Sequence, residues 1–104
     1  MSISIEDPVV KIDTRVKKSP RWKIIFLNND VTPMELVVHI LCRIYGFSTD
    51  KAVHTMLQIH YNNSDVVFVG SKELCELKYE QTHDIIRLAR DPLQVLLQPD
   101  SEDN

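Results

Sequence analysis

Asn28-Asn29-Asp30-Val31-Thr32-Pro33-Met34-Glu35 is the stretch whose reading decides the fold, because a strand-like run ends in it and a helix begins. The run before it, Trp22-Lys23-Ile24-Ile25-Phe26-Leu27, is β-branched and aromatic, as strands prefer. Three signals then agree on a helix start. Thr32 stands as N-cap, Pro33 occupies the first helical position where its missing N–H costs nothing, and Glu35 follows the cap by three residues. Thr32-x-x-Glu35 therefore reads as a capping box. Asn28, Asn29 and Asp30 fall in the turn between strand and helix. Such residues stabilise turns by bonding their own backbone, and they also offer amide and carboxylate oxygens to a ligand.

Working outward, the first helix is expected over 32–45, with Val37, Val38, Leu41 and Ile44 as its apolar face and Gly46 closing it. Ser48 reads as the N-cap of a second helix over 49–61, with Asp50 well placed in its first turn. The spacing of Val53, Met56, Leu57 and His60 sets His60 on an apolar stripe beside Ala52 and Ile59. Asn62-Asn63-Ser64-Asp65 is a turn cluster, and Val66-Val67-Phe68-Val69 reads as a buried strand. Ser71 caps a third helix over 72–90, whose mostly apolar face is Leu74, Leu77, Gln81, Ile85 and Leu88. Asp91-Pro92 ends it, since a residue before proline avoids the helical region. Leu93 to Leu97 suits a last strand. Strand, helix, helix, strand, helix, strand gives a small sheet with helices packed on it, an α+β domain.

The ends differ in composition. Residues 1–20 show no sustained period, are punctuated by Asp7-Pro8 and Ser19-Pro20, and are expected to form a flexible arm whose second half, Lys11, Arg15, Lys17 and Lys18, is basic. Residues 99–104 read as a disordered acidic tail. The span 21–98 remains as the domain.

At 104 residues the chain suits one domain, and a hydrophobic content of 43% supplies a core. A formal net charge of -3 argues against a general nucleic-acid binder, which needs a basic surface to hold phosphates. No apolar run approaches a membrane span, and no secretory signal pattern opens the sequence. The expectation is a protein of the cytoplasm, with a plastid stroma as the other compartment considered. Cys42 and Cys75 have no CxxC spacing and read as small core thiols. His39, His54, His60 and His83 do not stand at metal-site spacings, so neither a metal nor another cofactor is expected. No phosphate-binding loop or nucleophile elbow occurs. A hydrolase would have to be built from Asp30 and His60 with no nucleophile assigned.

The run Trp22 to Val38, followed by Ala52 and Met56-Leu57-Gln58-Ile59-His60-Tyr61, resembles ClpS, the adaptor of bacterial and plastid Clp proteases in the N-degron pathway. The family pattern is an aromatic-led strand, then Asn-Asp-Asp-x-Thr-Pro-Met-Glu, then Met-Leu-x-x-His. The resemblance covers about residues 20–98. Glu73 and Lys78 fall where the family has Glu and Lys in its third helix, and Pro92-Leu93 matches its Pro-Leu before the last strand.

The resemblance implies a small three-stranded antiparallel sheet packed against three helices, in a monomer without catalysis. Asn28, Asp30 and His60 match the positions that hold a substrate's free α-amino group. Thr32, Met34, Val37, Met56, Ile59 and Leu93 match those lining a pocket for an N-terminal Leu, Phe, Tyr or Trp, with Met34 at the gate against β-branched residues. Glu73 and Lys78 match positions facing the N-terminal domain of a Clp AAA+ ATPase of ClpA or ClpC type, to which substrates are delivered with help from an N-terminal arm. A second reading keeps the ATPase as partner and gives the domain a regulatory role without N-degron recognition.

Elementary chemistry is compatible with the first reading. An α-ammonium has donors and no acceptor, so its capture calls for convergent oxygens and an unprotonated imidazole nitrogen. Three departures from the family pattern stand out. Asn29 replaces the middle aspartate, Asn63 and Phe68 stand where glycines are usual, and Arg90-Asp91-Pro92 is a shorter link than the family's.

Overall fold

The structure is a computed structural model that describes residues 20–100. Among these residues the chain forms β1 (Arg21–Leu27), α1 (Met34–Tyr45), α2 (Thr49–Asn62), β2 (Ser64–Ser71), α3 (Lys72–Ala89) and β3 (Val95–Pro99). The sheet has the order β2-β1-β3, and both pairings are antiparallel. The expected arm over 1–20 lies outside the described residues but for Pro20, and so do residues 101–104. Pro99 and Asp100, read from the sequence as part of the tail, are held against the sheet. Pro99 still pairs with Trp22, the Asp100 N–H donates to the Arg21 carbonyl at 2.8 Å, and the Asp100 carboxylate lies 4.0 Å from Lys23 Nζ.

The central strand carries the core. Ile24 and Phe26 alternate onto one face of β1 and are completely buried, as period-two alternation requires. They meet Val37, Ile40 and Leu41 of α1, Ala52, Met56 and Ile59 of α2, and Cys75 and Ile86 of α3. Each large apolar side chain so buried stabilises the fold by about 1.5–3 kcal/mol. Val66 pairs with Ile25 and Phe68 with Ile24, so Val67 is an extra residue in β2. That bulge turns Val67 into the core.

Two helices turn a different face inward from the one the spacing suggested. On α2 the buried residues are Ala52, Thr55, Met56 and Ile59, while Val53 and Leu57 are exposed. On α3 the buried residues are Cys75, Thr82 and Ile86, and Leu74, Leu77 and Leu88 point outward. On α3 the reason is polar. Thr82 Oγ1 donates to the Lys78 carbonyl at 2.7 Å and receives the Tyr45 hydroxyl at 2.8 Å, so a threonine satisfied on both sides is buried where leucine seemed the natural occupant.

The departures from the family pattern also find physical accounts. Asn63 ends α2 at φ 72°, the left-handed conformation that glycine adopts freely and asparagine tolerates. Phe68 packs 6.1 Å from Tyr45, centroid to centroid, and its neighbour Gly70 makes room for it. A Cβ at position 70 would meet the Phe68 ring at 3.0 Å.

Candidate functional site

The loop between β1 and α1 is fastened at both ends by backbone bonds. Leu27 N–H donates to the Gln94 carbonyl at 3.0 Å, and Asn28 N–H donates to the Asn63 carbonyl at 2.8 Å. The first bond ties the loop to the approach to β3. The second ties it to the end of α2, where His60 occupies the last turn. Residues more than thirty positions apart are thereby brought to one place.

The expected capping box does not form. Helix α1 begins at Met34, and Pro33 serves as its N-cap with φ -64° and ψ 139°, making no side-chain cap bond. Its carbonyl accepts from Leu36 N–H at 3.1 Å. Thr32, restricted by the proline that follows it, sends its hydroxyl elsewhere, to Asp91 Oδ2 at 2.6 Å. Donation to a carboxylate is charge-assisted and sets the hydroxyl's direction, and the threonine oxygen makes no cap bond to α1.

Asn29 closes a turn of its own. Its Oδ1 accepts from Val31 N–H at 2.7 Å and its Nδ2 donates to the Pro92 carbonyl at 3.2 Å. Both functions of the amide are used within the protein, and the donor half of this arrangement is one that an aspartate could not supply.

These bonds frame a cavity of about 120 Å³. Its apolar lining is Leu27, Met34, Val37, Met56, Ile59 and Leu93, and its polar lining is Asn28, Asn29, Asp30, Thr32 and His60. All nine residues expected at the α-amino and side-chain positions are therefore gathered around one hollow. The lining is graded. Val37, Met56, Ile59 and Leu93 are buried, whereas Asp30, His60 and Met34 are exposed, so an apolar floor opens through a polar rim. An apolar cavity of about 150 Å³ holds a benzene-sized molecule, so the space suits one leucine or phenyl side chain.

Glu73 and Lys78 lie on α3, outside this lining. Glu73 is exposed in the first turn. Lys78, half-buried, donates its Nζ to the Ile44 carbonyl at 2.9 Å, and the ammonium lies 5.6 Å from the Tyr45 ring and 5.3 Å from Phe68.

Sequence reasoning missed Leu27, Asn29 as part of the lining, and Asp91. In sequence Leu27 reads only as the end of a strand, and Asp91 only as the end of a helix. An aspartate before Pro-Leu carries a further signal, since Asx side chains bond the backbone two residues on, and Asp91 Oδ2 accepts from Leu93 N–H at 2.9 Å. Among the described residues, no helix is long and apolar enough to cross a membrane.

An apolar hollow of side-chain size, rimmed by an amide, a carboxylate and an imidazole on a small α+β scaffold, defines a binding module. The family model for "ATP-dependent Clp protease adaptor protein ClpS" matches residues 17–96, and the chain belongs to the ClpS family of Clp protease adaptors. It is 38% identical over 92 residues to the ClpS of Rhodospirillum centenum, covering 88% of this chain and 85% of that protein. Against the ClpS of Roseobacter denitrificans the identity is 39% over 84 residues, covering 81% and 74% of the two chains. The structure of Agrobacterium tumefaciens ClpS2 bound to L-phenylalaninamide superposes with a TM-score of 0.76 at 29% identity, covering 80% of this chain and 100% of that one.

Proposed function

We propose that the cavity captures the first residue of a protein chain and that the domain hands the captured chain to a Clp ATPase for degradation. In this reading Asn28, Asp30 and His60 hold the free α-amino group. Thr32, Met34, Val37, Met56, Ile59 and Leu93 enclose a bulky side chain, that of Leu, Phe, Tyr or Trp. The observation that supports the reading is the sorting of the lining, with Asp30 and His60 exposed, Asn28 half-buried beside them, and Val37, Met56, Ile59 and Leu93 buried. L-phenylalaninamide, held by the Agrobacterium relative, has the same two parts, a free amine and an apolar ring.

The energetics fit a reversible carrier. Charge-assisted bonds contribute about 1.5–3 kcal/mol each, and burial of one large apolar side chain about 1.5–3 kcal/mol. Association opposes them with several kcal/mol. The upper end of this balance corresponds to micromolar binding, about 8 kcal/mol net, tight enough to select and weak enough to release. An internal peptide N–H brings one donor and no charge, so interior segments are refused.

Delivery requires a surface apart from the cavity. Glu73, exposed at the start of α3, is the residue offered to the N-terminal domain of a ClpA- or ClpC-type ATPase. Lys78 supports that surface from behind by fixing the end of α1 against α3. Nothing in this function calls for a nucleophile or a metal.

Calorimetric titration tests the reading with Leu- and Phe-initiated peptides, each free and N-acetylated. The free peptides are expected to bind at micromolar concentration and the acetylated ones at least a hundredfold more weakly. Equal affinity of free and acetylated peptides overturns it.

A further inference from the structure

Two of the chain's three methionines line the cavity, Met34 from α1 and Met56 from α2. They are placed unequally. Met56 is 9% exposed and belongs to the core, whereas Met34, the first residue of α1, is 46% exposed. A thioether suits such a wall, being unbranched, polarisable and attracted to the edge of an aromatic ring. Met34 is also the side chain of the lining whose oxidisable sulfur is open to solvent. Two donors close to it in the lining are already spent. Thr32 gives its hydroxyl proton to Asp91 at 2.6 Å, and the Asn29 amide donates to the Pro92 carbonyl at 3.2 Å.

We infer that Met34 is an oxidation site, and that its conversion to the sulfoxide by hydrogen peroxide turns the pocket against bulky apolar N-terminal residues. The inference rests on the reading of the cavity as an N-terminus pocket. A sulfur lone pair attacks one peroxide oxygen, an S–O bond forms as the O–O bond breaks, and the departing hydroxide takes up the remaining proton as water. Sulfur loses two electrons and the peroxide gains them. Two thiols reverse the change by supplying two electrons, closing to a disulfide and carrying the oxygen off as water. The sulfoxide oxygen is an acceptor that water satisfies, and a Leu or Phe side chain entering the hollow strips that water away. With the Thr32 and Asn29 donors committed, and the three N–H groups of the captured ammonium held by Asn28, Asp30 and His60, the oxygen is left unpaired in an apolar place. Other sulfurs compete poorly. Met56 is covered by the core, and Cys75 is buried with its thiol pushed up by that burial, which leaves little of the thiolate that peroxide attacks. Cys42, half-buried farther along α1, lies outside the lining.

The test uses the full chain, treated with hydrogen peroxide and then freed of it, and a Phe-initiated peptide with a free amine, titrated calorimetrically. Peptide-mass mapping locates the added oxygen. Wild type is expected to gain oxygen at Met34 before Met56, and to bind about tenfold more weakly once Met34 is converted, as an acceptor buried without a partner costs. Dithiothreitol with the two methionine sulfoxide reductases, one for each sulfoxide epimer, is expected to return the original affinity. Met34→Leu keeps the volume and lacks the sulfur. It has an affinity of its own, so the quantity compared is the ratio before and after peroxide, which is expected to stay within about twofold of unity. If the leucine variant binds no peptide, partial oxidations of wild type carry the same expectation, the lost affinity rising in step with the mapped fraction of Met34 sulfoxide. Unchanged or tighter binding with Met34 oxidised, as when the Asn28 amide serves the new oxygen, overturns the inference. So does a loss that Met34→Leu shares or that tracks Met56 or a cysteine, and so does an oxidised protein that thermal melting shows unfolded. Untreated wild type that binds no free-amine peptide brings down the functional reading and this inference together, whereas wild type that binds and ignores the oxidation of Met34 brings down this inference alone.

Discussion

Asn28 and Asn63 share a backbone hydrogen bond of 2.8 Å, and through it the end of β1 is locked to the end of α2. Asn63 makes its carbonyl available by adopting φ 72°, which L residues other than asparagine and glycine resist. Asn63→Val is therefore expected to lower stability by about 1–2 kcal/mol, read by urea denaturation, and to weaken free-amine peptides in parallel as His60 drifts from Asn28. Asn63→Gly is expected to bind and unfold like wild type.

His60 separates binding from folding. It is exposed on the last turn of α2, beyond the buried Met56 and Ile59, and its ring meets Tyr61 edge-on at 5.1 Å. On the proposed function, removing it takes away one bond to a charged ligand, worth about 1.5–3 kcal/mol. His60→Ala is expected to lose between tenfold and a hundredfold in affinity for a Phe-initiated peptide. Its melting midpoint should stay within a few degrees of wild type, because surface substitutions are usually within about 0.5 kcal/mol. A large fall in stability with binding retained would assign His60 to the fold instead.

Glu73 and Lys78, paired by the family pattern, are expected to part company. Lys78 is half-buried and bonded to the Ile44 carbonyl, whereas the Glu73 carboxylate has no partner among the described residues. Lys78→Ala should reduce stability by about 1–2 kcal/mol through the lost charge-assisted bond. Glu73→Ala should leave stability alone and weaken association with an isolated ATPase N-terminal domain. Melting curves and a pull-down with that domain distinguish the two outcomes.

The sequence made the framework legible wherever local rules and tertiary needs agree. Gly46 closes α1 at φ 71°, Ser48 and Ser71 cap α2 and α3, and the strand before Asn28 proves to be the central one. Nine of the eleven residues lining the cavity stand at positions the family pattern names, Leu27 and Asn29 being the two it did not, although only Asn28, Asn29, Asp30 and His60 are conspicuous chemically. Local rules failed where a distant partner made a better offer. Thr32 left its helix for Asp91, which is a contact across 59 positions that no window of sequence contains. Likewise the leucines of α3 lost the core to Thr82, because its hydroxyl could serve Tyr45 and the Lys78 carbonyl together. Periodicity counts apolar residues and is blind to such pairs.

That Tyr45–Thr82 pair carries a consequence for alkaline stability. The Thr82 proton is given to the Lys78 carbonyl, so the 2.8 Å bond to Tyr45 has the phenol as donor. Burial is the main force on this phenol and disfavours its charged form, pushing its pKa from 10.0 up to about 12, with the bond to Thr82 acting the other way. The folded protein therefore keeps a proton between pH 10 and 12 that the unfolded chain releases. The contribution of this phenol is complete below pH 10 and is lost as pH rises toward 12, by about 1.4 kcal/mol per pH unit. Burial pushes the Cys75 thiol up as well, which steepens the same decline from its ordinary 9.0 onward. Tyr45→Phe keeps the ring against Phe26 and Phe68 and removes only the hydroxyl. At pH 7 it should be about 1 kcal/mol less stable than wild type, for one lost hydrogen bond. By pH 12 the order should reverse, since phenylalanine has no proton to lose, and urea denaturation at both pH values reads the crossing. Parallel stability profiles for the two proteins would show that the phenol titrates as freely in the fold as outside it.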